Sequence, residues 1–141
     1  MSDFKHILSQ LPGWRTKRHI IVIESDDWGS IRMPSKEVYN QLLSDGYSVD
    51  KDLFSRYDSL ERGEDLTALF DVLQSVKDKN GNPAMITADC VVVNPDFDKI
   101  KADGFASYYY ELTSDTYQHQ PGCENSYEII HQGMTEGVWY P

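Results

Sequence analysis

The sequence predicts an α/β domain built on parallel strands, and two observations carry this prediction. Short apolar segments alternate along the chain with longer segments whose apolar residues recur at helical spacing. In addition, the apolar residues 20–23 lead directly into three carboxylates, and α/β proteins place their chemistry at the C-terminal ends of strands. The length of 141 residues suits one domain, so we expect residues 1–141 to form a single α/β domain.

The chain is predicted to begin with a helix and a buried strand. Ser2 is a favourable N-cap for a helix that runs to about Gln10, where Pro12–Gly13 ends it. Residues 20–23 are all apolar and all β-branched, which is typical of a parallel strand covered on both faces.

Two amphipathic helices are predicted next. Ser35 is an N-cap for a helix ending near Ser44, with Asp45–Gly46 as its stop. After a charged, irregular segment over 47–62, which we expect to pass over the strand ends, apolar spacing predicts a helix over 64–79.

The second half of the chain is predicted to return to the sheet. Residues 84–89 form a strand, extended as far as 93 in one interpretation, and strand, helix and strand in this order imply a parallel crossover. Residues 94–97 are predicted to turn, and residues 108–112 are a possible strand.

The last elements predicted are a loop, a helix and a strand. Residues 114–122 are polar and contain Pro121–Gly122, which favours a loop. Helical spacing resumes at Ser126 and stops at Gly137, and residues 138–140 begin a final apolar strand.

Composition restricts the classes of partner. Lys and Arg number 13 against 23 Asp and Glu, a formal net charge of −10, which argues against binding to nucleic acid or to an anionic membrane surface. No segment reaches the ~20 apolar residues of a membrane span, and no signal peptide is evident, so we expect a cytoplasmic location. Cys90 and Cys123 form no metal or redox motif, and whether they pair stays open.

Asp26 and Asp27 are the main candidates for chemistry. Because neighbouring residues near a strand end point in different directions, one carboxylate can face a bound metal while the other faces the water that the metal activates. Asp and Ser are also favoured in turns and helix caps, so the residues alone leave that second interpretation open.

The tract Glu24-Ser25-Asp26-Asp27-Trp28-Gly29 resembles the first motif of the polysaccharide deacetylase superfamily, the NodB-homology carbohydrate esterases. In that motif an apolar strand ends in Thr-Phe-Asp-Asp-Gly. Here Glu24 replaces Thr, Ser25 replaces Phe, and Trp28 precedes the glycine. The resemblance implies a partial, distorted parallel (β/α) barrel and a metal-dependent hydrolase that removes acetyl groups from a carbohydrate.

The resemblance also implies roles for individual carboxylates. Asp26 matches the general base, and Asp27 matches a carboxylate that binds a divalent metal, with zinc the expected ion. Glu24 has two possible roles: it raises the pKa of Asp26 by like-charge repulsion, or it binds the metal itself.

Three further residues are candidates for substrate binding. Trp28 follows the carboxylates directly, so its ring is placed to wall a pocket and to pack on sugar C–H groups. Asp89 ends the second strand and is expected at the same sheet edge as Asp26, although a turn-capping role stays open. His119 lies in the predicted polar loop.

The sequence does not supply a complete zinc site. A catalytic zinc ion usually takes three protein ligands, and the 4 histidines include no closely spaced pair. In the superfamily, a His-Ser/Thr-x-x-His motif follows a later strand, and residues 138–141 resemble the start of that strand. We therefore expect an N-terminal part of a longer protein that by itself binds zinc weakly, is inactive, and dimerises through an open sheet edge.

Two other functions remain open at this point. The chain is a non-catalytic carbohydrate-recognition or interaction domain if the scaffold was kept and catalysis lost. It is a metal-independent glycosidase if Glu24 and Asp26 form a carboxylate pair across a sugar-sized cleft.

Overall fold

The computed structural model describes Lys5, Gly13 and residues 16–141. The helix predicted over 2–10 lies, apart from Lys5, outside the described residues. Between residues 16 and 141 the elements follow the order β1 Glu24–Trp28, α1 Lys36–Ser44, a 3-10 helix Val49–Lys51, α2 Leu53–Arg56, α3 Gly63–Ser75, β2 Ile86–Cys90, β3 Val93–Pro95, α4 Phe97–Ala102, β4 Tyr110–Leu112, α5 Thr113–His119, α6 Ser126–Glu136 and β5 Trp139–Tyr140.

The predicted mixed α/β class with a parallel sheet is confirmed. Strands β1, β2 and β5 form one sheet in the order β1-β2-β5, with both neighbouring pairs parallel. Strands β3 and β4 form a separate antiparallel pair. Over the described residues the parallel sheet is small and does not close into a barrel.

The first strand lies later in the sequence than predicted. Residues 20–23 are outside β1 and exposed, Ile21 being 89% exposed, so the prediction of a strand covered on both faces is wrong. Just before β1, the Thr87 N–H of β2 donates a hydrogen bond to the Ile23 carbonyl. Before β2 begins, the Ala84 N–H donates instead to the carbonyl groups of Leu73 and Val76. Residues 20–22 therefore lack a strand partner in β2. Asp26 and Asp27 consequently lie within β1 and not beyond it.

Helix α1 confirms the predicted cap and stop. The Ser35 hydroxyl accepts a hydrogen bond from the Val38 N–H, and Asp45 closes the helix ahead of Gly46, which has a positive φ of 90°.

Helix α3 ends at Ser75, four residues before the predicted end. The Asp78 carboxylate accepts hydrogen bonds from the backbone N–H groups of Asn80 and Asn82 and forms a turn. This turn brings Lys77 into an antiparallel bridge with Pro83, which the helical periodicity did not indicate.

The region between β2 and α6 differs most from the prediction. Strand β2 does not continue to residue 93, and the predicted turn over 94–97 is instead the end of β3 followed by Asp96, the N-cap of α4. The strand predicted over 108–112 is present in part as β4. The loop predicted over 114–122 is wrong, because residues 113–119 form α5 and bury Thr113, Thr116 and Tyr117 at helical spacing.

Helices α3 and α6 pack against the parallel sheet to form the core. Phe70 of α3 contacts Trp139 of β5 edge-on, with ring centroids 5.7 Å apart. Gly133 of α6 permits this packing, because a Cβ there would lie 2.5 Å from Cε2 of Phe70. The predicted helix from Ser126 and its stop at Gly137, which has a φ of 73°, are both confirmed.

None of the helices in residues 16–141 combines the length and the apolar character that crossing a bilayer requires.

Candidate functional site: a carboxylate cleft at a strand bulge

Asp26 and Asp27 form a β-bulge in the first strand. Ser25 pairs with Ala88 and Trp28 with Cys90, so β1 has one more residue than β2 over this interval. Asp27 takes up the extra length with a φ of 62°, a left-handed conformation that few residues other than glycine adopt. Bulges of this kind redirect side chains and are common beside active sites.

The bulge opens onto a cleft of about 410 Å³, which we call the carboxylate cleft. Its wall joins the end of β1 to α2 and to the segment that follows α2. The lining residues are Asp26, Asp27, Ser30, Arg32, Leu53, Phe54, Tyr57, Asp58, Ser59 and Glu61. Four carboxylates, one guanidinium and two aromatic rings therefore share one sugar-sized space.

Asp27 forms an ion pair across the cleft with Arg32. The Arg32 Nη2 atom lies 2.6 Å from Asp27 Oδ2, and both side chains are about half exposed. The guanidinium also lies over the Phe54 ring, 5.3 Å from its centroid. An exposed pair of this kind contributes only about 0–1 kcal/mol, so a ligand that binds either partner can compete with it.

Asn94 holds the loop that follows the bulge. Its amide nitrogen donates to the Gly29 carbonyl at 2.8 Å and to Thr116 Oγ1 at 3.2 Å, and its amide oxygen accepts from the Ile31 N–H at 3.1 Å. Asn94 is 2% exposed. A buried side chain with its hydrogen bonds satisfied fixes its neighbours in one geometry.

Two carboxylates of the cleft also form hydrogen bonds with the loop that follows the bulge. Glu61 accepts from the Gly29 N–H at 3.2 Å and from the Tyr117 hydroxyl at 2.6 Å. Asp58 Oδ2 accepts from the backbone N–H groups of Arg32 and Met33, each at 2.6 Å. Residues 29–33 are thus hydrogen-bonded by three side chains that come from distant parts of the sequence.

Burial raises the pKa of the Tyr117 phenol above its ordinary value, and the hydrogen bond to Glu61 raises it further. The phenol therefore stays protonated and donates to Glu61 across the neutral pH range.

The other predicted site residues do not line the carboxylate cleft. Glu24 is exposed at the start of β1, and Asp89 is exposed in β2, level with the bulge. Trp28 is half-buried and lines a neighbouring cavity together with Ser59 and Glu61, so it walls a pocket other than the carboxylate cleft. Its ring packs edge-on against that of Trp139, with the ring centroids 4.6 Å apart. His119 ends α5 with its side chain 71% exposed and its Nδ1 atom 3.8 Å from Glu111 Oε2.

The donor atoms of the cleft do not by themselves fit a zinc ion. Across residues 16–141 no three His, Cys, Asp or Glu side chains converge as a metal-binding group. The carboxylate nominated as a ligand, Asp27, is paired with Arg32, and the oxygens of Asp58 and Glu61 accept hydrogen bonds from the loop.

The charged segment over 47–62 does pass beside the end of β1, as predicted, and it supplies Asp58 and Glu61 to the cleft. The prediction that this segment is irregular is wrong in part, because it contains the 3-10 helix Val49–Lys51 and α2. Sequence reasoning did not identify the individual roles of Asn94, Glu61 or Tyr117. The helical spacing of residues 113, 116 and 117 was the signal available for Tyr117, but their polar character concealed it.

Comparison with known proteins adds no relative to these observations: the chain matches no protein-family model, no curated protein and no solved structure.

Proposed function

We propose that this chain belongs to a metal-dependent hydrolase that removes acetyl groups from a carbohydrate. One observation carries the proposal: two adjacent carboxylates, Asp26 and Asp27, are displayed by a bulge near the C-terminal end of a parallel strand and line a cleft of about 410 Å³. Such a volume suits a small ligand, and this end of a parallel strand is the usual place for α/β chemistry. The resemblance of the same tract to the deacetylase motif supports the choice of reaction.

We also propose that the three parallel strands belong to the distorted (β/α) barrel that the resemblance implies. The support is the order β1-β2-β5, with helices between successive strands, which is the connection pattern of such barrels.

The proposal assigns different roles to the two aspartates. Asp26 is the general base: it lines the cleft and accepts a proton from the attacking water. Asp27 would be one ligand of the metal, in place of its ion pair with Arg32. The described residues supply too few ligands to complete a zinc site. The proposal therefore includes no reaction step at the metal and names no further ligand.

The experiment measures acetate release from acetylated oligosaccharides by the protein expressed from its complete gene, together with its metal content. We expect Asp26→Asn to keep the metal and lose turnover by at least about 100-fold, the scale of general-base catalysis. Asp27→Ala should lose both. Asp98→Asn, an exposed carboxylate in α4, is the matched control. Equal metal loss in the two cleft variants would contradict the roles, and absence of acetate release would contradict the reaction.

A second function, carbohydrate recognition without catalysis, is favoured by the Asp27–Arg32 pair. A carboxylate, a guanidinium and the rings of Phe54 and Tyr57 are groups that bind sugar hydroxyls and C–H faces. In this case Arg32→Gln and Asp27→Asn would both weaken oligosaccharide binding, and neither the parent protein nor the variants would release acetate.

A further inference from the structure

A second pocket adjoins the carboxylate cleft and has the opposite charge. It encloses about 240 Å³ between the start of α1, α2 and the loop that follows α5. Its charged lining side chains are Lys36, Arg56, Arg62 and Asp58. We call it the basic pocket, because three cations face one carboxylate in a protein whose formal net charge is −10.

The cations of the basic pocket are only lightly neutralised. Among the described residues, neither Lys36 nor Arg56 forms an ion pair with a carboxylate, and Arg62 approaches Glu64 only at 3.9 Å. Instead, Lys36 Nζ lies 4.3 Å from the centroid of the Tyr39 ring, and Arg56 lies over Tyr57 at 5.1 Å. Packing on a ring holds a cation in place and leaves its N–H donors available.

The carboxylate in this pocket has its own partners. Asp58 Oδ2 accepts two backbone hydrogen bonds, from the N–H groups of Arg32 and Met33. Asp58 keeps its negative charge, but among the described residues it forms no ion pair with Lys36, Arg56 or Arg62. The net charge of the side chains that line the pocket is therefore positive, as binding of an anion requires.

The basic pocket and the carboxylate cleft share a wall. Asp58 and Ser59 line both cavities, and the loop over 30–33 also passes between them, with Arg32 on the cleft side and Met33 on the pocket side. A ligand that fills the cleft and extends past Asp58 and Ser59 reaches the three cations.

We propose that the basic pocket is a subsite for an anionic group, a carboxylate, sulfate or phosphate, carried by a sugar unit next to the one in the carboxylate cleft. The substrate class is then an acidic glycan. This inference rests on the proposed function, since it places the acetylated sugar in the cleft. Arg56 and Arg62 supply the forked donors that suit planar or tetrahedral oxyanions, and Lys36 supplies a point charge.

The test compares two acetylated oligosaccharides that differ only in one uronic acid unit, using calorimetry on the full chain. We expect the acidic oligosaccharide to bind about tenfold more tightly, and the difference to shrink as salt is raised. The double variant Lys36→Gln/Arg56→Gln should lose this preference while keeping its affinity for the neutral oligosaccharide. The control Lys79→Gln/Lys101→Gln removes the same charge from exposed sites elsewhere and should retain the preference.

A second measurement does not depend on variants. Inorganic sulfate added to the isotope-labelled protein should shift the amide resonances of residues 35–36 and 56 before those of residues 77–82. Equal affinity for the two oligosaccharides, or sulfate shifts confined to other surfaces, would overturn the inference and leave the proposed function standing. If sulfate binds in the basic pocket and neither oligosaccharide binds at all, the proposed function and the glycan subsite both fall, and only a site for a free anion remains.

Discussion

Asn94 donates a hydrogen bond of 2.8 Å to the carbonyl oxygen of Gly29, a residue 65 positions earlier in the chain. Gly29 directly follows the bulge that displays Asp26 and Asp27, and its φ of 77° together with the nearby Thr113 methyl group excludes a side chain there. The position of the two aspartates therefore depends on a contact between β3 and the end of β1.

The first prediction concerns this contact. Asn94→Ala leaves the Gly29 carbonyl and the Ile31 N–H without their partner, which should lower the free energy of unfolding by about 3 kcal/mol. Urea denaturation measures the change. Asn80→Ala, in an exposed turn, is the control and should change stability by less than about 0.5 kcal/mol. Equal effects of the two substitutions would show that Asn94 does not hold the loop.

The second prediction concerns the left-handed backbone of Asp27. In an ordinary strand, alanine is more stabilising than glycine by about 0.5–1 kcal/mol. At position 27, with a φ of 62°, we expect the order to reverse, so that Asp27→Gly is more stable than Asp27→Ala by about 1 kcal/mol. Both variants lack the carboxylate, so the comparison isolates the backbone.

Ser25, two residues earlier in the same strand, provides the control pair for this prediction. Its backbone φ is not positive, so Ser25→Ala should be the more stable of its two variants. The same order at both positions would contradict a strained bulge.

The third prediction concerns alkaline pH. The pKa of Tyr117 is raised by burial and by its hydrogen bond to Glu61, so its contribution to stability is complete below the unfolded value of about 10. That contribution should be lost as the pH rises beyond 10 towards the raised pKa. Tyr117→Phe should therefore remove part of the loss of stability above about pH 10, whereas Tyr108→Phe, at an exposed position, should not. Thermal unfolding between pH 8 and 11 tests this difference.

The fourth prediction concerns acidic pH. The pKa of Asp96 is lowered, first by the hydrogen bond from the Lys99 side chain and then by the Lys99 backbone N–H. Its stabilising contribution is present above the unfolded value of about 4 and is lost as the pH falls through the lower folded value. Asp96→Asn keeps an N-cap residue and should flatten the dependence of the unfolding free energy on pH below about 4. Lys99→Gln removes the first cause of the lowered pKa of Asp96 and should flatten the same dependence in part, so an unchanged slope in that variant would contradict the assignment.

The elements that sequence predicted well are those with local signals. Helices α1 and α6 have caps and periodic apolar residues within their own segments, so Ser35 and Gly137 mark their ends. Residues 20–23 have the composition of a strand, but a strand also needs a partner, and β2 begins too late to provide one. No local pattern contains that information.

The candidate site likewise combines residues that a local sequence pattern indicates with residues that it does not. The adjacent aspartates are visible in the sequence as a pair after an apolar run. Their supports, Glu61 and Asn94, lie 32 and 65 residues away from Gly29, with which both form hydrogen bonds. Asn94 followed by Pro95 has the composition of a turn, and only the antiparallel pairing of β3 with β4 places its amide against the loop.

The perpendicular contact between Trp28 and Trp139 gives the protein an internal spectroscopic probe. Two indoles with centroids 4.6 Å apart are close enough for their electronic transitions to couple, and Trp28 is the residue directly after the bulge. We expect a ligand that replaces Arg32 at Asp27 to move the bulge and thereby to change the angle between the rings. Trp14 is the third tryptophan of the sequence, and Trp14→Phe would leave only the coupled pair. The near-ultraviolet circular dichroism of this variant would then follow occupancy of the cleft without an attached label.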